Sequence, residues 1–333
     1  MTKHLPAVAR MHEMLSGFVL SQAIFAVAEL DVATALLDGP RRIDELAAAV
    51  GADPDALRRI IRFLAQHGVF RASAGTVEIT DLGRTLADRP RDSLRKAASY
   101  FRRTHYPAFD LLHTARTGDP AATSFLGKPF FQWIDDNADL AELQNEAMAG
   151  FTRIARGDLL DVYQLPDGEV AADIGGADGS LLVDLLARRP RWRGIVYDLP
   201  RSVAAARATI QAAGLGDRVE IVAGDFFRTV PAADVYVLSA VLQDWSDFCA
   251  SRILRNVRAA AAPHSRLVVI DMVAPEDDVP HAGTVVDITM LAMLGGRWRS
   301  RSEWDRLLAG AGFCLRRIVS GSGSHFALEA TLR

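Results

Sequence analysis

The apolar and polar positions of the first ninety residues predict helices followed by a small hairpin. Over residues 12–37, apolar side chains lie nearly all round one or two predicted helices, which indicates helices buried on every side, against the rest of the chain or against another subunit. Two shorter helices are expected at 43–50 and 55–67, and two short strands at 69–71 and 77–79. Helix, turn, helix and hairpin in this order predict a winged helix.

From residue 170 onward, short apolar runs alternate with helical periodicity. This rhythm predicts an α/β domain in which a parallel sheet carries helices on both faces, a Rossmann-like doubly wound arrangement. The expected strands are 170–174, 194–197, 219–224, 234–238, 266–271 and a final pair, 313–319 with 325–332. Residues 92–160 are expected to be mostly helical, and their many aromatic side chains suit a layer that binds a planar organic substrate.

Length and composition allow more than one domain. The chain has 333 residues, and half of them are apolar, so a sizeable core can form. We expect a winged-helix dimerisation domain at 1–95, a helical linker and substrate layer at 96–160, and a ligand-binding α/β domain at 161–333.

Charge and cysteine usage narrow the function classes. The net charge of −3 and the pI near 6.3 argue against a general nucleic-acid-binding protein. A DNA-binding regulator stays open as an alternative because the second predicted helix carries Arg58, Arg59 and Arg62. Cys249 and Cys314 show no metal-binding or redox spacing, so no metal is expected. No uninterrupted apolar stretch approaches ~18 residues, and we expect a cytoplasmic protein without a membrane partner.

Acidic residues follow the first strands of the predicted sheet. A glycine cluster ending at Gly179 joins the first strand to a helix, where backbone N–H groups can approach a ligand. Asp198, 19 residues later, ends the second strand and is placed to accept both hydroxyls of a ribose. Asp225 and Phe226 end the third strand and suit an adenine. Because no lysine-bearing phosphate loop is present and Asp173 would repel a pyrophosphate, S-adenosylmethionine (SAM) is favoured over NAD or ATP.

Several motifs together match a known family. They are Asn145-Glu146-Ala147-Met148, Asp173-Ile174-Gly175-Gly176, Gly224-Asp225-Phe226-Phe227, Leu242-Gln243-Asp244-Trp245 and Gly295-Gly296-Arg297 leading to Glu303-Trp304. With these motifs and the winged helix, the chain resembles over its full length the class I SAM-dependent O-methyltransferases of secondary metabolism. These include the plant caffeate and flavonoid enzymes and bacterial relatives acting on anthracyclines, mitomycins and aromatic acids. The resemblance implies a homodimer formed through the N-terminal domains.

The resemblance also implies roles for individual residues. The expected contacts of SAM, and of the product S-adenosylhomocysteine (SAH), are Gly175, Asp198, Leu199, Asp225, Phe226, Ser239, Trp245 and Arg153. The expected contacts of an aromatic substrate are Phe130, Met148, Phe151, Asp287, Met290 and Leu291. Arg153 has an equally reasonable interpretation as a surface arginine.

The chain departs from the family at the catalytic base. Relatives usually read Leu-His-Asp-Trp, whereas this chain has Gln243 before Asp244, and a glutamine amide cannot accept a proton. Trp298 replaces the glutamate that often helps to orient the histidine. A positioned base contributes about 10²–10⁴-fold, whereas alignment supplies roughly 7–11 kcal/mol, so methyl transfer can proceed by proximity and orientation, with Gln243 and Asp244 at the acceptor. The residues that could substitute as a base are His105, Tyr106 and His281.

Two functions therefore precede the DNA-binding alternative. The leading hypothesis is a SAM-dependent methyltransferase, acting on an aromatic or polyketide-like small molecule. The second is a SAM-binding member of the family that catalyses a different step, such as decarboxylation, hydroxylation or a pericyclic reaction, with SAM as a fixed positive charge.

Overall fold

The structure is a computed structural model, and it describes residues 6–88, 93–277, 279–281 and 283–333. It forms two compact units. The first spans Met1–Pro107 and Glu142–Phe151, and the second spans Ala108–Ala141 and Thr152–Arg333. The sequence-based division at residues 95 and 160 stays a prediction.

The first unit contains the expected winged helix. Its helices are α1 Ala7–Leu15, α2 Gly17–Glu29, α3 Val32–Ala35, α4 Ile43–Val50, α5 Pro54–Gln66, α6 Asp81–Arg84 and α7 Arg95–Tyr100, followed by a π-helical turn, Phe101–His105. Its strands are β1 Arg41–Arg42, β2 Phe70–Ser73 and β3 Thr76–Ile79, in the order β1-β3-β2. The hairpin turn is tight because Ala74 and Gly75 both adopt positive φ, at 49° and 80°.

The sequence places the start of α5 through a cap. Pro54 occupies the first turn, where its missing N–H leaves no bond unmade. The Oδ1 atom of Asp53 accepts a hydrogen bond from the Ala56 N–H at 2.8 Å. One side of α5 then buries Leu57, Ile61 and Leu64 in the core of this unit.

We expect Asp53→Ala to lower the free energy of unfolding of this unit by about 1 kcal/mol, because the Ala56 N–H loses its acceptor. Asp53→Asn is the matched control, since its amide oxygen can still cap the helix. Urea unfolding measures both variants. Equal stability of the two variants would show that the cap contributes nothing.

The first two helices are not buried on every side within the single chain. Ala23, Val27 and Ala28 lie in the core, but several apolar side chains that precede them in the sequence are exposed to solvent. The exposed apolar residues are Val8, Met11, Met14, Leu15, Phe18 and Val19, with 41–83% of their surface accessible. The segment Ala7–Glu29 is also long and apolar enough to cross a membrane by length and composition alone. Burial of this surface therefore requires something outside the chain.

The second unit is the predicted α/β domain. Its strands are β4 Val170–Ile174, β5 Arg193–Asp198, β6 Val219–Ala223, β7 Val235–Ser239, β8 Arg266–Ala274, β9 Arg299–Ser300, β10 Phe313–Ser320 and β11 His325–Leu332. The order is β10-β11-β8-β7-β4-β5-β6, with β9 paired to β8. The strands from β6 to β8 are parallel, and β11 and β10 are antiparallel, as the sequence predicts.

Helices complete the chain. Those after the first unit are α8 Tyr106–Ala108, α9 Leu111–Thr117, α10 Ala121–Leu126, α11 Phe130–Asp135, α12 Ala138–Arg156, α13 Leu159–Val162, α14 Ser180–Ala187, α15 Val203–Ala212, α16 Asp247–Ala260, α17 Thr284–Met293 and α18 Arg301–Gly310. Two 3₁₀ turns, Pro200–Ser202 and Leu242–Asp244, lie beyond β5 and β7.

Both faces of the large sheet are covered because side chains alternate along each strand. Ala172 and Ile174 of β4 join one core cluster, with α16 and α18, whereas Ala171 joins the other, with α14 and α15. The strand order reverses direction between β4 and β7. Ligands bind such sheets outside the carboxyl ends of the strands at this reversal. The candidate ligand site is therefore formed by the residues at and after the ends of β4, β5, β6 and β7.

Candidate active site

The turn after β4 has two glycines in a backbone conformation that other residues rarely adopt. Gly175 has φ of +76°, and its N–H donates to the carbonyl of Tyr197 at 2.8 Å. A Cβ added at Gly175 would lie 2.8 Å from Cγ2 of Val241 and 3.6 Å from the ring of Phe226. Gly179 ends the turn at φ +75° and precedes α14. The predicted strand, turn and helix are therefore present, and the turn lies against the residues that follow β6 and β7.

Asp198, at the end of β5, is held in one orientation by two backbone donors. Its Oδ2 atom accepts from the Ala177 N–H at 2.8 Å, and its Oδ1 atom accepts from the Leu199 N–H at 2.6 Å. Burial raises the pKa of Asp198, and these two N–H groups together with the Ser202 hydroxyl oppose the rise. With three donors on its two oxygens, the carboxylate still has acceptor capacity for a neighbouring hydroxyl.

Asp173, on β4, is 1% exposed and its Oδ2 atom has no hydrogen-bond partner among the described residues. Burial and the nearby Asp198 raise the pKa of Asp173 to about 7, while Arg156 acts in the opposite direction. A carboxyl that is half protonated near neutral pH repels a pyrophosphate less than the fully ionised carboxylate that the sequence predicts.

Asp173 gives the thermal stability of the protein a pH dependence that can be measured without a ligand. The pKa of Asp173 rises from 3.8 to about 7 on folding, so any stabilisation from the protonated carboxyl is present below pH 4 and is lost as the pH rises through 7. As the pH increases from 4 to 8, we expect the thermal midpoint of Asp173→Asn to rise relative to that of the wild type, because only the wild type has to ionise a buried carboxyl. The same difference between the two midpoints at pH 4 and pH 8 would contradict this assignment.

Four aromatic rings meet beyond the ends of β6 and β7. The ring of Trp245 lies edge-to-face against Phe227 at 4.7 Å and against Phe226 at 6.1 Å, measured between centroids. Phe131 of α11 lies tilted against the same indole at 5.6 Å. The Oδ1 atom of Asp225 accepts from the Phe227 N–H at 2.8 Å. The predicted adenine residues are thus brought together, and the sequence interpretation missed Phe131 and Phe227.

The 3₁₀ turn after β7 carries Gln243, and its backbone is fixed on two sides. The Gln243 N–H donates to Oδ2 of Asp271 at 3.2 Å, and the Gln243 carbonyl accepts from the Arg297 N–H at 2.9 Å. The side-chain Oε1 atom is buried and has no hydrogen-bond partner among the residues that the structure describes. The Oγ atom of Ser239, at the end of β7, is in the same condition. Unsatisfied buried polar atoms of this kind are characteristic of ligand sites.

Asp244 lies beside a second carboxyl group, that of Asp271. Burial, and then the neighbouring Asp271 carboxyl, raise the pKa of Asp244 well above its usual range. Burial also raises the pKa of Asp271 to about 7. Burial and Asp271 therefore favour the neutral form of Asp244 relative to an exposed aspartate, and its role at the acceptor stays a prediction.

The predicted substrate residues divide between the two units. Met148 and Phe151 belong to the first unit, where Phe151 packs on Phe101 at 5.5 Å between ring centroids. The other four belong to the second unit: Phe130, Asp287, Met290 and Leu291. The substrate roles of all six residues stay predictions.

Two of the four residues in the second unit have structural partners. Phe130 is only 3% exposed and packs against Phe131 and Trp133. The Oδ1 atom of Asp287 accepts from the Trp298 N–H at 2.7 Å, so this carboxylate fixes the backbone at the position where relatives carry glutamate. Met290 and Leu291 lie on the same helix as Asp287, α17, and Leu291 is 38% exposed.

The three candidate substitute bases differ in their hydrogen bonds. Nδ1 of His281 accepts from the Gly283 N–H at 2.9 Å, so the neutral ring carries its proton on Nε2 and has no lone pair left for a substrate. Burial lowers the pKa of His105 to about 4, which makes it a weak base. Tyr106 is 45% exposed and lies edge-to-face against Phe25.

Arg153 and the cysteines complete the predicted set. Arg153 lies in the last turn of α12, and its interaction with a cofactor carboxylate stays a prediction. Cys249 and Cys314 are free thiols. Within the described ranges, no group of three or more histidine, cysteine, aspartate or glutamate side chains is placed to hold a metal.

Comparisons with known proteins match both halves of the chain. Residues 12–89 match the O-methyltransferase dimerisation domain, and residues 111–314 match the O-methyltransferase domain. The chain is 35% identical to phenazine O-methyltransferase PhzM of Lysobacter antibioticus, over 98% of this chain and 96% of that protein. It is 33% identical to aclacinomycin 10-hydroxylase RdmB of Streptomyces purpurascens, over 90% and 83%.

A solved structure gives the same result. The crystal structure of the O-methyltransferase NcsB1 from neocarzinostatin biosynthesis, in complex with SAM and 2-hydroxy-5-methyl naphthoic acid, superimposes with a TM-score of 0.84. The two chains are 32% identical, and the alignment covers 94% of this chain and 96% of NcsB1.

Proposed function

Since this chain belongs to the O-methyltransferase family and is a SAM-dependent methyltransferase, we propose that its methyl acceptor is an aromatic or polyketide-like small molecule and that alignment, not base catalysis, provides most of the rate. The observation that carries the proposal is the turn Leu242–Asp244. The backbone of this turn is held by hydrogen bonds to Asp271 and Arg297. Its central side chain, Gln243, is an amide with a buried oxygen that lacks a hydrogen-bond partner among the described residues.

The residues after the strands fit an adenosine. Asp198 offers two oriented carboxylate oxygens for a ribose, and the ring pair Phe226 and Trp245 suits an adenine. The glycine at 175 lets the turn after β4 pack against Val241 and Phe226, which places its backbone beside the residues expected at the adenine. When bound, SAM supplies an electrophilic methyl group on a sulfonium.

Gln243 orients the acceptor and does not take its proton. Its amide N–H donates to the ionised reacting oxygen of the acceptor and fixes the direction of a lone pair there, while its buried Oε1 atom accepts from a neighbouring polar hydrogen of the same molecule. A glutamine amide is not a base and cannot remove a proton from the acceptor. The preferred acceptors are therefore already ionised or readily ionised: a carboxylate, an acidic phenol or an enol carbon.

A screen with methyl-labelled SAM and acceptors of graded acidity tests this function. We expect label to appear in product, with rates that rise steeply as the acceptor hydroxyl becomes more acidic. Tight SAM binding without transfer to any acceptor of the series would refute the methyltransferase proposal for these substrates.

The second hypothesis, a different reaction with SAM as a fixed charge, has one supporting observation. The histidine and the glutamate are both absent, and the chain is similar to a hydroxylase, RdmB, as well as to O-methyltransferases. The other relatives described above are methyltransferases, so methyl transfer is favoured. Stoichiometric SAM consumption in the same screen separates the two, because a fixed charge is not consumed.

The apolar surface of α1 and α2 is assigned to a second copy of the chain. This segment overlaps the matched dimerisation domain, and its exposed side chains need a partner surface. DNA is an unsuitable partner, since Arg58 pairs with Asp44 and Asp55, and Arg59 pairs with Asp55. We therefore propose a cytoplasmic homodimer that binds neither nucleic acid nor membrane. Light scattering of the purified protein gives the mass that decides between dimer and monomer.

A further inference from the structure

One buried arginine, distant in sequence from the 3₁₀ turn Leu242–Asp244, forms hydrogen bonds at both ends of that turn. Arg299 lies on β9 and is 1% exposed. Its Nη1 atom donates to the carbonyl of Leu242 at 2.8 Å, and its Nη2 atom donates to the carbonyl of Trp245 at 2.7 Å. One planar group therefore binds both ends of the segment that carries Gln243.

The guanidinium is itself fixed. Its Nε atom donates to Oδ1 of Asp247 at 2.9 Å, and its face lies over the indole of Trp304 at 5.3 Å. A guanidinium has its donors in a rigid fork, so its two bonds to carbonyls set the distance between them. A lysine ammonium on a flexible stem cannot reproduce that spacing.

The remaining supports act on the middle of the turn. Asp271 holds the Gln243 N–H, and the Arg297 N–H holds the Gln243 carbonyl. Removal of Arg299 would free both ends while the middle stayed attached. The expected result is a rotation of the turn that moves Gln243 and Trp245 relative to each other.

We propose that Arg299 is a positioning residue for methyl transfer, which sets the relative placement of Gln243, at the acceptor, and Trp245, at the cofactor. This inference rests on the proposed function of the two residues. Arg299 touches neither ligand in this account and acts only through the carbonyls of the turn. It is a role that the sequence interpretation did not assign.

Arg299→Lys tests the inference, with Arg255→Lys as the control because Arg255 is an exposed arginine on α16. We expect Arg299→Lys to lower kcat by about 10–100-fold, as a misplacement of about 1 Å can. SAH affinity should fall by about three- to tenfold as Trp245 loses its place. Arg255→Lys should leave both unchanged. A lower thermal midpoint for Arg299→Lys with unchanged kcat and SAH affinity would overturn the inference and leave a purely structural role.

A second pair of measurements excludes a general loss of structure. In a Gln243→His background, the new base should add a limb to the pH–rate profile, and Arg299→Lys should reduce that limb selectively.

If Arg299→Lys does not fold, Asp247→Asn keeps the arginine and removes its charge partner. We expect a smaller loss of kcat of the same kind, and an unchanged kcat would overturn the inference. SAH binding by calorimetry does not require turnover, so it tests Arg299 even if the wild type methylates no acceptor.

Discussion

Gln243→His is expected to raise kcat/KM for weakly acidic phenols by about 10²-fold, the lower end of what a positioned general base contributes. The lower end applies because Trp298 occupies the place of the orienting glutamate, and Asp271 holds only the backbone of residue 243. Strongly acidic acceptors should gain little, since they are already ionised. The measurement is a series of kcat/KM values against acceptor pKa, and its slope should flatten in the histidine variant.

Gln243→Asn and Gln243→Ala are the controls for this prediction. Asparagine keeps an amide but shortens its reach, and alanine removes it, so both should lower kcat without a new pH-dependent limb. If Gln243→Ala changes neither the rate nor the affinity for the acceptor, Gln243 does not face the acceptor. An equal increase in rate for histidine and asparagine would also contradict a base.

Asp198→Ala is expected to weaken SAH binding by about 10–150-fold, which corresponds to the roughly 1.5–3 kcal/mol of a hydrogen bond to a charged group. The carboxylate is held by the Ala177 and Leu199 N–H groups, so its loss also leaves these donors without an acceptor. Isothermal titration calorimetry gives the dissociation constant.

Asp217→Ala is the matched control, because Asp217 is an exposed aspartate of the same unit. Its affinity for SAH should equal that of the wild type. Unchanged affinity in Asp198→Ala, with the control unchanged as well, would mean that the ribose lies elsewhere.

Features with a local cause could be predicted from the sequence. The bounds of α4 equal those of the predicted helix 43–50, and the strands of the large sheet lie within a few residues of their predicted positions. Asp198 ends its strand as predicted, because the position of an acid at a strand end depends only on the strand. The fold class followed from the same alternation of patterns.

Features that depend on distant contacts could not be predicted. Asp271 lies in a predicted strand and Arg299 in no predicted element, and only the fold brings them to the turn that carries Gln243. Phe131 and Phe130 are neighbours in one aromatic run, and periodicity does not show which of them meets Trp245. The exposure of the apolar face of α1 could not be predicted either, because a pattern of apolar residues does not show which surface packs against them.

The central claim is that the carboxyl ends of β5, β6 and β7 hold an adenosine in front of Gln243. A crystal structure of the wild-type protein with SAH tests it most directly. The account predicts ribose hydroxyls within hydrogen-bond distance of Asp198, adenine beside Phe226 and Trp245, and the sulfur on the side of Gln243. Density for the nucleoside away from these strand ends would contradict the account.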